Sequence, residues 1–216
     1  MIIKTLAVGP ILTNCYIVGD ERSKEGAIID PGGDAQRILD EVRRLGLTIK
    51  YVIDTHGHFD HIGGLADLRR TCPETTVWAH PDTEPLLRDA EINGSRWLAL
   101  HYEPAEATDR FAGGDTLRLG ASELRVLDAP GHCPGSVVLV HDGHALVGDV
   151  LFHGGVGRWD FPGSDYDTLA RTMRDVVMTL PDDTIVYPGH GDLTTLGAER
   201  RDNFVVREML AGRRVM

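Results

Sequence analysis

Seven consecutive residues, Thr55-His56-Gly57-His58-Phe59-Asp60-His61, carry the strongest chemical signal in the chain. Three histidines and a carboxylate fall within six residues, just after the apolar run Tyr51-Val52-Ile53. His56 and His58 stand two apart, so on an extended segment both side chains point the same way. Asp60 and His61 are adjacent and point elsewhere, and such a segment can serve two metal centres at once. Imidazole suits zinc and iron, and a carboxylate adds negative charge. The plainer reading is a polar loop with scattered histidines. Against it, ligand-type side chains recur downstream beside glycine, in Gly131-His132-Cys133-Pro134-Gly135-Ser136, Val147-Gly148-Asp149 and Pro188-Gly189-His190-Gly191. Any one of these alone reads as a turn, but in this order they predict a metal cluster.

The elements that must carry these residues are short. Apolar runs predict strands at Ile2–Val8, Cys15–Val18, Ala27–Ile29, Tyr51–Ile53 and Thr76–Ala79, and then at Thr116–Leu119, Leu124–Leu127, Val137–Val140, Ala145–Val147 and Thr184–Tyr187. Asp30-Pro31-Gly32-Gly33 marks a turn, after which Asp34 is expected to cap a helix running to Arg44 and ended by Gly46. Further helices are expected from Ile62 to Arg70, Pro81 to Asp89, Asp167 to Leu180 and Gly197 to Met209. This pattern predicts sheets packed face to face with helices outside. The apolar strands end at His, Asp or Gly clusters, which places a site on one rim, built from loops.

Composition narrows the classes. The chain has 216 residues, 42% hydrophobic and 25% charged, as in an ordinary globular protein with a real core. Lys plus Arg is 22 against 33 for Asp plus Glu, a net charge of −11 that argues against a nucleic-acid partner. No run of eighteen apolar residues predicts a membrane span, and no signal peptide is read at the N-terminus. Three cysteines (Cys15, Cys72, Cys133) without a CxxC pair fit a reducing cytoplasm. Ten histidines and 25 glycines in an acidic chain suit an enzyme whose loops are shaped around a site.

In these motifs the chain resembles the metallo-β-lactamase superfamily, from Asn14-Cys15-Tyr16 and Asp30-Pro31-Gly32 to His190. The resemblance implies an α+β fold, the αββα sandwich of two mixed sheets with helices outside, as a single domain over residues 1–216. It implies a binuclear site in which His56, His58 and His132 hold one divalent ion and Asp60, His61 and His190 hold the other, bridged by Asp149. Zinc is the first expectation for both ions, and iron or manganese would also accept this N/O set. Two such ions bring about +4 and Asp60, Asp149 and a hydroxide return about −3, so a metal-bound hydroxide is stabilised near neutral pH. The implied catalytic role of Asp60 is to orient that nucleophile or hold its proton.

Asp149 at the bridging position and the complete HxHxDH resemble the glyoxalase II-like branch rather than the zinc β-lactamases, which place a Cys at a second-metal position. The segment from Gly154 to Gly163, with Arg158-Trp159-Asp160-Phe161, resembles the short bacterial hydroxyacylglutathione hydrolase-like enzymes. It also resembles the persulfide dioxygenases. The form Pro188-Gly189-His190-Gly191 is nearer the hydrolases. The implied activity is hydrolysis of a small-molecule thioester such as S-D-lactoylglutathione. The alternative is an iron-dependent persulfide dioxygenase using His56, His58, His132 and Asp149. Lactonase or phosphodiesterase chemistry and a non-catalytic zinc module rank lower. Only 26 residues follow His190, too few for the helical glutathione-binding domain of the longer enzymes, and Asp192 stands where those have a tyrosine. Arg158 is a candidate substrate-binding residue for one carboxylate, or else a surface partner of Asp160 or Asp165. Such a domain is expected as a monomer or homodimer.

The remaining candidates are single residues. His141 and His144 flank Asp142-Gly143 in a predicted solvent-exposed hairpin turn. His153 either lines the site or lies outside it. Cys133 is read as a small loop residue and not a nucleophile. Trp97, Leu98, Leu100 and Tyr102 read as a substrate lid, a dimer contact or simple packing.

Overall fold

The computed structural model describes residues 1–215; Met216 and the side chain of Leu98 lie outside it. The chain builds two six-stranded mixed sheets in sequence order. The first half runs β1 (Ile2–Val8), β2 (Thr13–Gly19), β3 (Glu25–Ile29), α1 (Ala35–Leu45), β4 (Thr48–Ile53), α2 (Phe59–Ile62), α3 (Leu65–Thr71), β5 (Thr76–Ala79), α4 (Glu84–Arg88) and β6 (Asp109–Arg110). Its sheet has the order β1-β2-β3-β4-β5-β6, antiparallel as far as β3 and parallel beyond it. The second half runs β7 (Thr116–Leu119), β8 (Ser122–Asp128), β9 (Val137–His141), β10 (His144–Gly148), β11 (Leu151–Phe152), β12 (Gly155–Val156), α5 (Tyr166–Asp175), β13 (Ile185–Pro188), β14 (Thr194–Thr195), α6 (Leu196–Asp202) and α7 (Phe204–Leu210). Its sheet has the order β14-β13-β10-β9-β8-β7, with only β10 and β13 parallel. The pair β11–β12 is a separate small hairpin.

Successive side chains of a strand point to opposite faces, and the burial follows that alternation. On β2, Cys15 and Ile17 face the α1–α3 layer, while Tyr16 and Val18 face the other sheet. On β9, Val137 and Leu139 meet them between the sheets, while Val138 and Val140 pack under α5. Three apolar layers therefore separate four structural layers, and this is the expected αββα sandwich. No described helix is long and apolar enough to cross a membrane.

Helix α1 runs between Asp34 and Gly46 as expected, although the Asp34 carboxylate accepts the Gly9 N–H at 3.1 Å and not a helix N–H; three other expected helices end or begin elsewhere. The helix expected from Ile62 to Arg70 is two helices, α2 and α3, parted at Gly63-Gly64. A Cβ at Gly64 would lie 2.6 Å from the Pro31 carbonyl oxygen, and one at Gly63 would lie 2.8 Å from that of Gly32. The glycines let the Asp30–Gly33 turn press against the metal-type loop, and the Gly64 N–H donates to Pro31 at 2.7 Å. The expected helix at 167–180 stops at Asp175, followed by one 3₁₀ turn, Val177–Thr179. The expected helix at 197–209 breaks at Asn203, whose side chain accepts the Val206 N–H at 3.2 Å and so starts α7. A polar cap outweighs the amphipathic periodicity there.

Candidate metal centre

Strand ends deliver every ligand-type residue to one rim of the sandwich. His56 and His58 follow β4, Asp60 and His61 lie on the single turn α2, His132 follows β8, Asp149 follows β10 and His190 follows β13. They gather as two groups, His56–His58–His132 and Asp60–His61–Asp149–His190, and in each group one ligand atom per residue lies within 4.8 Å of the others. All seven are buried except His190, which is half-buried. His58 Nδ1 stands 2.9 Å from His132 Nε2. Asp60 Oδ2 lies 3.0 Å from His190 Nε2 and 3.3 Å from His61 Nε2. Asp149 lies between the groups, 3.2 Å from His61 Nε2 and 3.7 Å from both His132 Nε2 and His190 Nε2.

Partners hold the backs of two of these rings and leave some atoms that face the centre without one. The His132 Nδ1–H donates to the Arg158 carbonyl at 2.9 Å. Thr55 gives its hydroxyl proton to Asp30 Oδ2 at 2.7 Å, so its oxygen accepts from His56 Nδ1 at 3.3 Å. His61 Nδ1 lies 2.9 Å from Asp30 Oδ2, an ion-pair distance without hydrogen-bond alignment. Among the described residues, His56 Nε2, both nitrogens of His61 and Asp149 Oδ1 are buried with no hydrogen-bond partner, as are both carboxylate oxygens of Asp54 outside the two groups. Buried polar atoms are normally satisfied, so the orphaned atoms of the two groups, converging with the correct donor chemistry, fit divalent ions.

Protonation follows from the same crowding. Burial and the facing His132 hold His58 near 3, and burial with neighbouring imidazoles lowers His56 and His132 as well, leaving these rings neutral as ligands must be. Burial also pushes His61 down, but Asp60, Asp149 and Asp30 outweigh it and raise it well above the usual range. Burial would raise Asp60 and Asp149, yet His61 beside them keeps both ionised.

Supporting residues surround the centre, and of these Thr13, Glu199 and Asn203 carried no local signal in the sequence. Thr13 Oγ1 donates to Asp60 Oδ2 at 2.9 Å across 47 residues. The Asn14 side chain donates to the carbonyls of Pro188 and Gly191, and the Tyr16 hydroxyl donates to Pro188 at 2.6 Å, so the Asn14-Cys15-Tyr16 strand fixes the loop bearing His190. A methyl at Gly189 would collide with Asp149 Oδ1 and His61, so only glycine lets that loop cross the centre. Behind it, the fully buried end of Glu199 accepts from Thr194 Oγ1, the Asn203 side chain and the Gly154 N–H at 2.6, 2.8 and 2.9 Å. Asn203 also donates to the Gly155 carbonyl. Together they tie the β11–β12 hairpin, which leads from Asp149 to Arg158, onto α6 and α7.

The centre opens into a cleft of about 280 Å³ lined by Ile11, Asn93, Trp97, Arg158 and Phe161 among others. Arg158 stands at this mouth, with its guanidinium doubly bonded to Asp160 at 2.8 Å and lying over the Phe161 ring. His153 is exposed at the hairpin tip and does not line the cleft. His141 and His144 do flank a hairpin turn, but each is half-buried and bonded, to the Glu123 carbonyl and the Tyr187 hydroxyl. Cys133 is buried and its thiol is pushed up to about 12, consistent with no nucleophilic role. Tyr102 packs under the loop and donates to the Leu87 carbonyl at 2.7 Å, whereas Trp97 lines the mouth together with Phe161.

Comparison with known proteins agrees with this geometry. Residues 8–190 match the sequence model described as "Metallo-beta-lactamase superfamily". The chain is 36% identical over 207 residues to the hydroxyacylglutathione hydrolase GloC of Haemophilus influenzae, covering 94% of this chain and 97% of that one. It is 33% identical over 181 residues to the bovine persulfide dioxygenase ETHE1, covering 82% of this chain and 63% of that one. The crystal structure of the B3 metallo-beta-lactamase BLEG-1 superposes with a TM-score of 0.89 at 35% identity, covering 95% of this chain and 99% of the other. With its αββα sandwich and its rim of histidines and aspartates, the chain belongs to the metallo-β-lactamase superfamily.

Proposed function

We propose that this chain is a thioester hydrolase working with two divalent ions, zinc in the first instance. The observation that carries the reading is the pair of adjoining ligand groups, with Asp149 between them and inward-facing nitrogens left without partners. Seven ligands for two ions leave open coordination positions, unlike the closed four-ligand set of a structural zinc. His56, His58 and His132 would hold one ion, Asp60, His61 and His190 the other, and Asp149 would bridge. Such ions acidify water and polarise a carbonyl. Asp60, whose carboxylate Thr13 anchors, would orient the attacking water, and Arg158, which lines the cleft, would meet the entering substrate. Similarity to the Haemophilus GloC supports a hydroxyacyl thioester such as S-D-lactoylglutathione as the first substrate to assay.

Similarity to the bovine dioxygenase supports a second reading, one iron held by His56, His58, His132 and Asp149. Metal content of anaerobically purified protein, measured beside thioester hydrolysis and oxygen uptake with a persulfide, separates the two. Two ions per chain with thioester cleavage supports the hydrolase. A single iron, an untouched thioester and oxygen consumption would replace it. In His58→Ala or Asp149→Ala, hydrolysis should fall by more than the ten- to about hundredfold that loss of even an outer partner of a metal ligand costs, with the circular dichroism unchanged. Full activity in either variant would remove the assignment.

A further inference from the structure

Large apolar side chains belong inside, and those left outside ask for a reason. Among the described residues, five stand exposed: Ile11, Leu12, Trp97, Leu193 and Phe204. Ile11 and Trp97, 43% and 50% exposed, line the cleft over the metal-type centre. Leu12 adjoins Ile11, and Leu193 lies three residues past His190.

Trp97 is held at this mouth by a built scaffold. Asn93, with no exposed surface, donates to the Leu86 carbonyl at 3.0 Å and accepts from the Ser95 N–H and hydroxyl at 3.0 and 2.8 Å. Its own carbonyl accepts the Phe59 N–H at 3.0 Å, which ties the Trp97 loop to the start of α2. The Trp97 ring meets Phe161 at 5.6 Å between centroids, and Phe161 meets His58 at 5.2 Å. An aromatic wall therefore runs from the metal ligands to the rim, with Ile11 lining the same cleft.

Away from the metal-type centre, side-chain charge gives the mouth of the cleft little hold on an anion. Among the described residues lining it, Arg158 is the sole Lys or Arg, and its guanidinium is doubly bonded to Asp160.

We propose that substrate is selected here by an uncharged apolar group beside the thioester, a short aliphatic chain or a single ring, received between the Trp97–Phe161 wall and Ile11. A clamp on the carboxylates of the thiol carrier plays no selective part. This rests on the thioester reading for the identity of the reacting group. Trp97 is the specificity-determining residue.

The test uses the metal-loaded enzyme and two matched series of unreactive S-alkyl thioethers, methyl to hexyl, one on glutathione and one on N-acetylcysteamine, which lacks glutathione's charges. Calorimetry should show affinity rising about fourfold per methylene in both series until the cleft is full, the value expected for a buried CH₂. The two carriers should differ by less than about threefold. In Trp97→Ala the rise should shrink to under about twofold per methylene, Phe161 and Ile11 remaining, and Trp97→Phe should restore most of it; the half-exposed position leaves the fold unthreatened. Affinity that is flat with chain length, or a slope undiminished in Trp97→Ala, overturns the proposal. So does a tenfold advantage of glutathione that disappears in Arg158→Ala. If no thioester is hydrolysed while chain-length-dependent binding persists, the hydrolase reading fails and the apolar site stands.

Discussion

Each imidazole of the centre is held in a set protonation state by what surrounds it, and this has a measurable sign. In the metal-free fold His56, His58 and His132 are neutral, with His58 near 3, while an unfolded histidine titrates near 6.5. Between those values the unfolded chain binds more protons, so their contribution to stability falls as the pH drops from about 6.5 towards 3. One such histidine is worth about 1–2 kcal/mol between pH 6.5 and 5. His61, raised, has the opposite sign: its contribution is full at low pH and is lost as pH rises through its folded value. Three against one leaves a net acid lability. Thermal unfolding of the chelated protein should show Tm falling from pH 7 to 5, more shallowly in His58→Gln; a Tm that is level across that range contradicts this account. Three of these histidines were legible in sequence because they are local, falling with Asp60 within six positions, and His132 because it stands beside glycine in a motif of its own. Thr13 and the Trp97–Phe161 pair were not, because a lone threonine 47 residues from its partner, or two aromatics 64 apart, leave no spacing to read.

Strands were legible for a similar reason: apolar alternation is short-ranged and burial between layers is what it encodes. The helices failed where a neighbour intruded. Nothing within 62–70 reveals that the Asp30–Gly33 turn must press against Gly63-Gly64, or that Asn203 would start a new helix. The same C-terminal segment carries a role that helix periodicity hides. Glu199 has no cationic partner; it is a buried acceptor for three donors that hold the β11–β12 hairpin. Glu199→Ala leaves those donors without an acceptor and should cost about 2–3 kcal/mol. It should also let the Arg158 carbonyl drift from His132, so metal content measured after dialysis should drop, while Glu199→Gln loses less of both. Unchanged Tm and metal retention in Glu199→Ala would show that the hairpin holds itself.

At the scale of the molecule, the chain finishes one sheet before it begins the other. All of β1–β6 lies in the first and all of β7–β14, the small hairpin apart, follows the single passage at Phe111–Asp115. Four of the ligand-type residues precede that passage and three follow it. Gly113 and Gly114 in it are exposed, and a side chain added at Gly114 would meet nothing within 4 Å. The polypeptide is therefore divisible at a natural seam. Residues 1–113 and 114–216 made as separate pieces should recombine into one working particle, because each brings a complete sheet whose inner face is matched only by the other. Metal should act as the rivet: at a free concentration about a hundred times its dissociation constant it adds about 2.7 kcal/mol to the joined state alone. A chelator should then loosen the pair by about a hundredfold in a sedimentation or fluorescence association assay, and an association indifferent to metal would mean the two halves are held by their apolar faces only.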